Sequence, residues 1–122
     1  MSTETKALIE AIEGFAPLDL QEDWDNSGWQ INLGREQIAR ATVALDITNA
    51  VIAEAKVLRA DLILTHHPLF FVPVKRIDSG DIVGRYIAEL ISAGIGVYSA
   101  HTSFDSAPGG MNDALAALLG LV

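Results

Sequence analysis

The chain has 122 residues and a mass of 13.0 kDa, enough for one compact domain and too little for two independent cores. Sixteen acidic against eight basic residues give a net charge of −8, which repels an extended phosphate backbone and argues against a nucleic-acid partner; Lys75 and Arg76 are the one adjacent basic pair. The absence of cysteine excludes disulfides, thiolate metal sites and a cysteine nucleophile, leaving imidazole and carboxylate chemistry.

Residues 2–15 are the first predicted element, a helix capped by Ser2 or Thr3 with Leu8, Ile9, Ile12 and Phe15 along one stripe and Pro17 ending it. The stretch PLDLQEDWDNSGWQINLG (17–34) is turn-rich around Asp25, Asn26, Ser27 and Gly28, then offers a short strand near Trp29–Leu33. ATVALDI (41–47) alternates, with Val43, Leu45 and Ile47 on one face and Thr42, Ala44 and Asp46 on the other, which predicts another strand. Thr48 or Asn49 caps a helix carrying Val51, Ile52, Ala55 and Leu58, and the apolar run DLILT (61–65) follows as a strand. A helix over about 81–92 places Ile82, Val83, Tyr86, Ile87, Leu90 and Ile91 at helical spacing, with Gly94 as its end. IGVYSA (95–100) is the next strand, and Met111–Leu119 the last helix, stopped by Gly120. This alternation predicts an α/β fold with a mostly parallel central sheet and flanking helices, in a single domain over 1–122.

The polar residues are not scattered over this outline. Asp46 lies near the carboxyl end of its strand, His66 and His67 just beyond the next, and His101 just beyond the third, with Asp105 four residues on. In an open parallel sheet, sites assemble at that edge, because the loops converge there while the core stays apolar. Neighbouring side chains on an extended backbone point to opposite sides, so His66 and His67 suit two neighbouring ions, one each, unless the chain bends. Pro68 biases His67 toward extended conformations. A pair of ions needs a shared carboxylate, for which Asp105 in HTSFDSAPGG is the best placed; His101 is a further ligand, an outer partner or a proton shuttle. Such ligands suit Zn, Fe, Mn, Ni or Co rather than a calcium cage. The structural alternative is a hydrogen-bonded histidine pair capping the sheet edge. Asp46 reads first as a turn-forming carboxylate, Trp24 and Trp29 as core or interface anchors, and Asp25 and Asn26 as residues tying a turn. APGG (107–110) reads as a helix-entry turn, since it lacks a phosphate-loop lysine, and Ser99, Ser103 and Ser106 have no nucleophile-elbow spacing.

Three segments together resemble the Nif-three-like family, described in bacteria as the type-two homologue of GTP cyclohydrolase I: PLDLQEDWDNSGWQINLG, ALDIT through ADLILTHHPLFF, and SAHTSFDSAPGGMNDALAALLGL. The resemblance covers almost the whole chain. It implies the Nif-three-like fold and a dinuclear metal protein in which both histidines of the HHP motif and the aspartate of the HTxxD motif are ligands, here His66, His67 and Asp105. His101 matches the motif histidine that lies close to the metals without being a usual ligand. It also implies toroidal homohexamers with the metal sites facing an internal cavity. Family chains are roughly twice as long, and their second half supplies a His-x-x-x-Glu element completing the two ion sites. This sequence reaches Val122 before any such element, so the expectation is one side of the centre, with the remaining ligands supplied by further chain or another copy.

Half of the residues are hydrophobic and the mean hydropathy is +0.31, consistent with either a tight core or apolar surface buried against a partner. No basic segment followed by an apolar core opens the chain and no apolar run approaches spanning length, so a cytoplasmic protein without a membrane partner is expected. Two functions from different classes fit. One is metal-assisted hydrolysis of a small molecule, a nucleotide or pterin-precursor ring by the family resemblance, with His101 moving a proton. The other is a non-catalytic metal-binding scaffold or regulatory interaction module. A half-domain without autonomous function is the third alternative.

Overall fold

The computed structural model describes residues 1–121. Its elements are β1 (Thr3–Glu4), α1 (Thr5–Phe15), a 3₁₀ turn (Leu18–Leu20), β2 (Gly28–Ile31), β3 (Gln37–Ile38), β4 (Ala41–Ala44), α2 (Asn49–Val57), β5 (Leu62–Thr65), α3 (Ile82–Ala93), β6 (Gly96–Ser99), α4 (Thr102–Asp105) and α5 (Met111–Leu118). The central sheet runs β2-β6-β5-β4. β4, β5 and β6 are mutually parallel, while β2 is antiparallel to β6, giving the expected mostly parallel sheet with flanking helices.

Both faces of the sheet are covered, which explains the runs of apolar residues without polar alternation in β5 and β6. On one face, Ile63 and Val97 pack with Ile52 and Ala55 of α2 and Leu90 of α3. On the other, Leu62 and Tyr98 pack with Ile9 of α1, flanked by Leu8, Ile12, Trp29 and Leu64. Leu62, Ile63, Leu90 and Val97 are each 0% exposed, and burying such a side chain stabilises by roughly 1.5–3 kcal/mol.

Three local expectations are corrected. The first helix begins at Thr5, and neither Ser2 nor Thr3 caps it: Thr3 and Glu4 pair with Ile38 and Gln37, while Ser2 Oγ donates to Gln37 Oε1 at 2.6 Å. Pairing with a short strand far along the chain won over a local cap. The strand expected over 41–47 stops at Ala44, so the period-two alternation breaks: Ile47 enters the core while Val43 is 80% and Leu45 57% exposed on the sheet edge. Of the two tryptophans expected as core or interface anchors, Trp29 stacks edge-on against Tyr98 at 5.4 Å, while Trp24 is 63% exposed, which removes the core alternative for it. Other boundaries follow local chemistry. Thr48 Oγ1 accepts from Val51 N–H to cap α2, Asp81 caps α3 through Val83 N–H, and Gly94 ends α3 in the left-handed conformation at φ 70°.

Candidate metal centre

Register assembles the site. Ala44 is level with Thr65, and Thr65 with Ser99, so three parallel strands finish together. The pairing runs on briefly, with His66 N–H donating to Ala44 O, His67 N–H to Leu45 O and Ala100 N–H to Thr65 O. Asp46, the two adjacent histidines and His101 are thereby delivered to one edge. β2 arrives from the opposite direction, with Gly28 level with Ser99, so the residues before it, Asp25 to Ser27, reach the same edge from the other side.

The backbone leaves β5 at Thr65 and bends through His66 and His67. The bend removes the geometric objection to neighbouring histidines facing a common point: their rings lie 5.1 Å apart, and His101 lies 5.1 Å from His66 and 5.5 Å from His67. Each of the three offers a ring nitrogen within 4.8 Å of the other two. The bend is held by Thr65, whose Oγ1 donates to His67 O at 2.9 Å and shares a 2.7 Å hydrogen bond with the buried Ser99 hydroxyl.

All three imidazoles are anchored through Nδ1. His66 Nδ1 lies 2.9 Å from Ala100 O, His67 Nδ1 2.7 Å from Asp46 Oδ1, and His101 Nδ1 2.9 Å from Asp25 Oδ1. A carbonyl oxygen only accepts, so His66 carries its proton on Nδ1 and leaves Nε2 bare. That free nitrogen lies 3.5 Å from Asp105 Oδ1. Two ligand atoms bound at about 2.0–2.1 Å in tetrahedral geometry stand about 3.4 Å apart, so this separation fits a shared ion. The donor set of imidazole nitrogen and carboxylate oxygen, without sulfur, fits Zn, Fe, Mn, Ni or Co.

The surroundings grade from dry to wet. His66 and His101 side chains are 14% and 13% exposed, His67 40%. Phe104 lies edge-on to His66, while Trp24 and Phe71 lie edge-on to His101. Burial alone would raise the Asp25 pKa, but hydrogen bonds from Thr102, His101, Asn26 and Ser27 outweigh it and hold the carboxyl well below the usual range.

Asp105 ends the short helix α4 rather than sitting in a loop. APGG is a helix-entry turn, as its composition suggests: a Cβ on Gly110 would lie 2.0 Å from Phe104 O, so the close approach of α5 to α4 requires glycine there. Asp46 is more than a turn former, since it orients His67. Asp25 ties its turn through Asn26 N–H and also reaches His101, a connection invisible to a reading that could not tell β2 to be antiparallel.

A model of the Duf34/NIF3 (NGG1p interacting factor 3) family matches residues 3–122. The chain belongs to this family. It is 45% identical over 113 residues to a GTP cyclohydrolase 1 type 2 homolog of Clostridium perfringens, covering 93% of this chain and 43% of that one. It is 36% identical over 118 residues to the human NIF3-like protein 1, covering 96% of this chain and 31% of that one. The solved structure of a Bacillus cereus protein related to NIF3 superposes with a TM-score of 0.92 at 38% identity, over 98% of this chain and 33% of that chain. Reduced HcgD from Methanocaldococcus jannaschii gives a TM-score of 0.90 at 37% identity, over 100% of this chain and 49% of that one. The Duf34/NIF3 chain described here thus spans less than half the length of these relatives.

Proposed function

We propose that this NIF3-family chain carries one side of a dinuclear centre for metal-dependent hydrolysis, with His66, His67 and Asp105 as ligands and His101 as the proton carrier. The observation that supports it most is the anchoring of three imidazoles through Nδ1 around one point, with a carboxylate oxygen 3.5 Å from the free His66 nitrogen. Divalent ions held there would supply Lewis acidity and would acidify water near neutral pH. The chain's own residues do the rest. Asp46 orients His67, Ala100 O orients His66, and the low exposure of His66 and His101 limits competing solvent. His101 takes up a proton at Nε2 while its Nδ1 stays on Asp25. The name GTP cyclohydrolase 1 type 2 homolog borne by the bacterial relatives supports a nucleotide ring as substrate, and the family resemblance supports a pterin-precursor ring as the alternative. Cytoplasmic location and a single domain over 1–122 belong to the same reading.

A second reading, a metal-binding scaffold working through a partner, is favoured by an apolar groove of about 350 Å³ beside the centre. Val43, Leu45, Phe104 and Met111 line it, and His66 forms part of its wall. The exposed Val43 and Leu45 support burial against other protein, as in a homo-oligomer of the toroidal kind. No helix among the described residues is long and apolar enough to cross a membrane.

The test is elemental analysis of gently purified protein beside a His66→Ala/His67→Ala variant, followed by nucleotide turnover. Near-stoichiometric transition metal, lost in the variant, with turnover that depends on His101 supports the hydrolase. Metal without turnover at any loading favours the scaffold. No metal in either protein, even after supplementation, overturns both.

A further inference from the structure

The Asp25 side chain is 0% exposed, and both of its oxygens are saturated. Oδ1 accepts from Asn26 N–H at 2.7 Å and meets His101 Nδ1 at 2.9 Å. Oδ2 accepts from Ser27 Oγ at 2.9 Å, from Thr102 N–H at 3.0 Å and from the Thr102 hydroxyl. The directions of these bonds are fixed by what each donor does elsewhere. Thr102 Oγ1 already accepts from Glu22 N–H, and Ser27 Oγ accepts from His101 N–H, so both hydroxyls are left to donate to the carboxylate. With four contacts donating to it, Asp25 is an ionised acceptor, and the fifth contact is His101 Nδ1–H donating as well.

We propose that Asp25 is a positioning residue of the centre: it fixes His101 in the Nδ1–H tautomer, so that the unprotonated Nε2 is the nitrogen turned toward the neighbouring imidazoles and the ions they would hold. The proposal rests on the metal reading given above and adds to it a residue from the opposite end of the sheet edge. An ionised carboxylate on Nδ1–H also makes Nε2 a better lone-pair donor. Asp25 and Asp46 do the same job in different surroundings. Asp46 is half exposed and among the described residues meets only His67, whereas the Asp25 side chain is buried and welded to the backbone of two segments. The closed Asp25 pocket therefore allows His101 one orientation, which sequence spacing gives no means to read.

The experiment measures the imidazole ¹⁵N shifts of His101 in the metal-free protein, then Co²⁺ affinity from the visible absorption of the bound ion, in wild type, Asp25→Asn and Thr102→Val. Thr102→Val disturbs the same pocket but leaves the Asp25–His101 bond. The expected result is a wholly Nδ1–H His101 in wild type and Thr102→Val and a mixture of tautomers in Asp25→Asn, with Co²⁺ affinity kept by all three proteins because His66, His67 and Asp105 are untouched. An Nε2–H His101 in wild type overturns the proposal, as does an Asp25→Asn protein that keeps the wild-type tautomer, or a Thr102→Val protein that loses it equally. If Asp25→Asn does not fold, the wild-type and Thr102→Val tautomers decide: an Nε2–H His101 in either overturns the proposal. A wild-type chain that binds no Co²⁺ while His101 remains Nδ1–H would sink the metal reading and leave the orienting role of Asp25 standing.

Discussion

Thr65→Val removes one hydroxyl at a point where the fold and the centre are coupled. Thr65 is 4% exposed, and valine keeps its shape and its strand preference, so the substitution isolates two hydrogen bonds, to His67 O and to Ser99 Oγ. The Ser99 hydroxyl is itself 3.5 Å from His67 O, too long to replace the 2.9 Å bond that is lost. Leaving the buried Ser99 hydroxyl without its partner costs about 1–3 kcal/mol, with the half-buried His67 carbonyl unmet beside it, so the expected loss is about 2 kcal/mol. With 122 residues contributing about 2.1 cal/mol/K each, the unfolding entropy is about 0.26 kcal/mol/K and the midpoint falls by about 8 °C. Circular-dichroism melting of the metal-free protein measures this directly. Adding Ser99→Ala should cost little more, because the orphaned serine hydroxyl leaves with it, so the two changes couple strongly. Co²⁺ affinity should fall in parallel as the His66–His67 bend loosens. A Thr65→Val midpoint within about 2 °C of wild type would refute the assignment of the bend to this hydroxyl.

Asp46→Asn should weaken metal binding by about tenfold, the low end for an outer partner of a ligand histidine because Asp46 is half exposed; unaltered Co²⁺ titration would show that His67 needs no such anchor. Gly110→Ala forces a Cβ to within 2.0 Å of Phe104 O and 2.8 Å of Ala107 O, so the α4–α5 corner must open. An overpacking cost of about 1–3 kcal/mol is expected as a lower melting midpoint, and a wild-type midpoint would contradict the close approach. At Asp61, burial raises the pKa, but the N–H groups of Ala39 and Arg40, with Arg35 and Arg40 charges, bring it below the ordinary value. A depressed folded-state pKa stabilises above the unfolded value of about 3.9 and ceases to do so as pH falls through the folded value. Asp61→Asn should therefore lower stability at pH 6 and flatten the loss of stability below about pH 4; an acid limb as steep as wild type would count against it.

The continuous apolar runs of β5 and β6, the Thr48 cap and the left-handed Gly94 are local signals, and each was legible because propensity and packing agree there. The failures share one cause. β1 and β3 are two residues each and exist only because they meet across more than thirty positions, Thr3 with Ile38 and Glu4 with Gln37. Val43 and Leu45 alternate like a core face, yet β4 is the edge of the four-stranded sheet, and what an edge strand meets is decided by its neighbours.

The centre divides along the same line. Sequence by itself determined which chemistry is available, imidazole and carboxylate without sulfur, and placed His66, His67, His101 and Asp46 at strand ends, since a parallel arrangement sends those ends to one side. Only the tertiary structure decided that the bend after Thr65 turns adjacent histidines toward a common point, and that Asp46 serves His67 rather than a turn. Asp25 depends on it most. Nothing local distinguishes a residue before a parallel strand from one before an antiparallel strand, because strand direction is set by which neighbour pairs with it; the antiparallel β2 carries Asp25 to His101, 76 residues away in sequence.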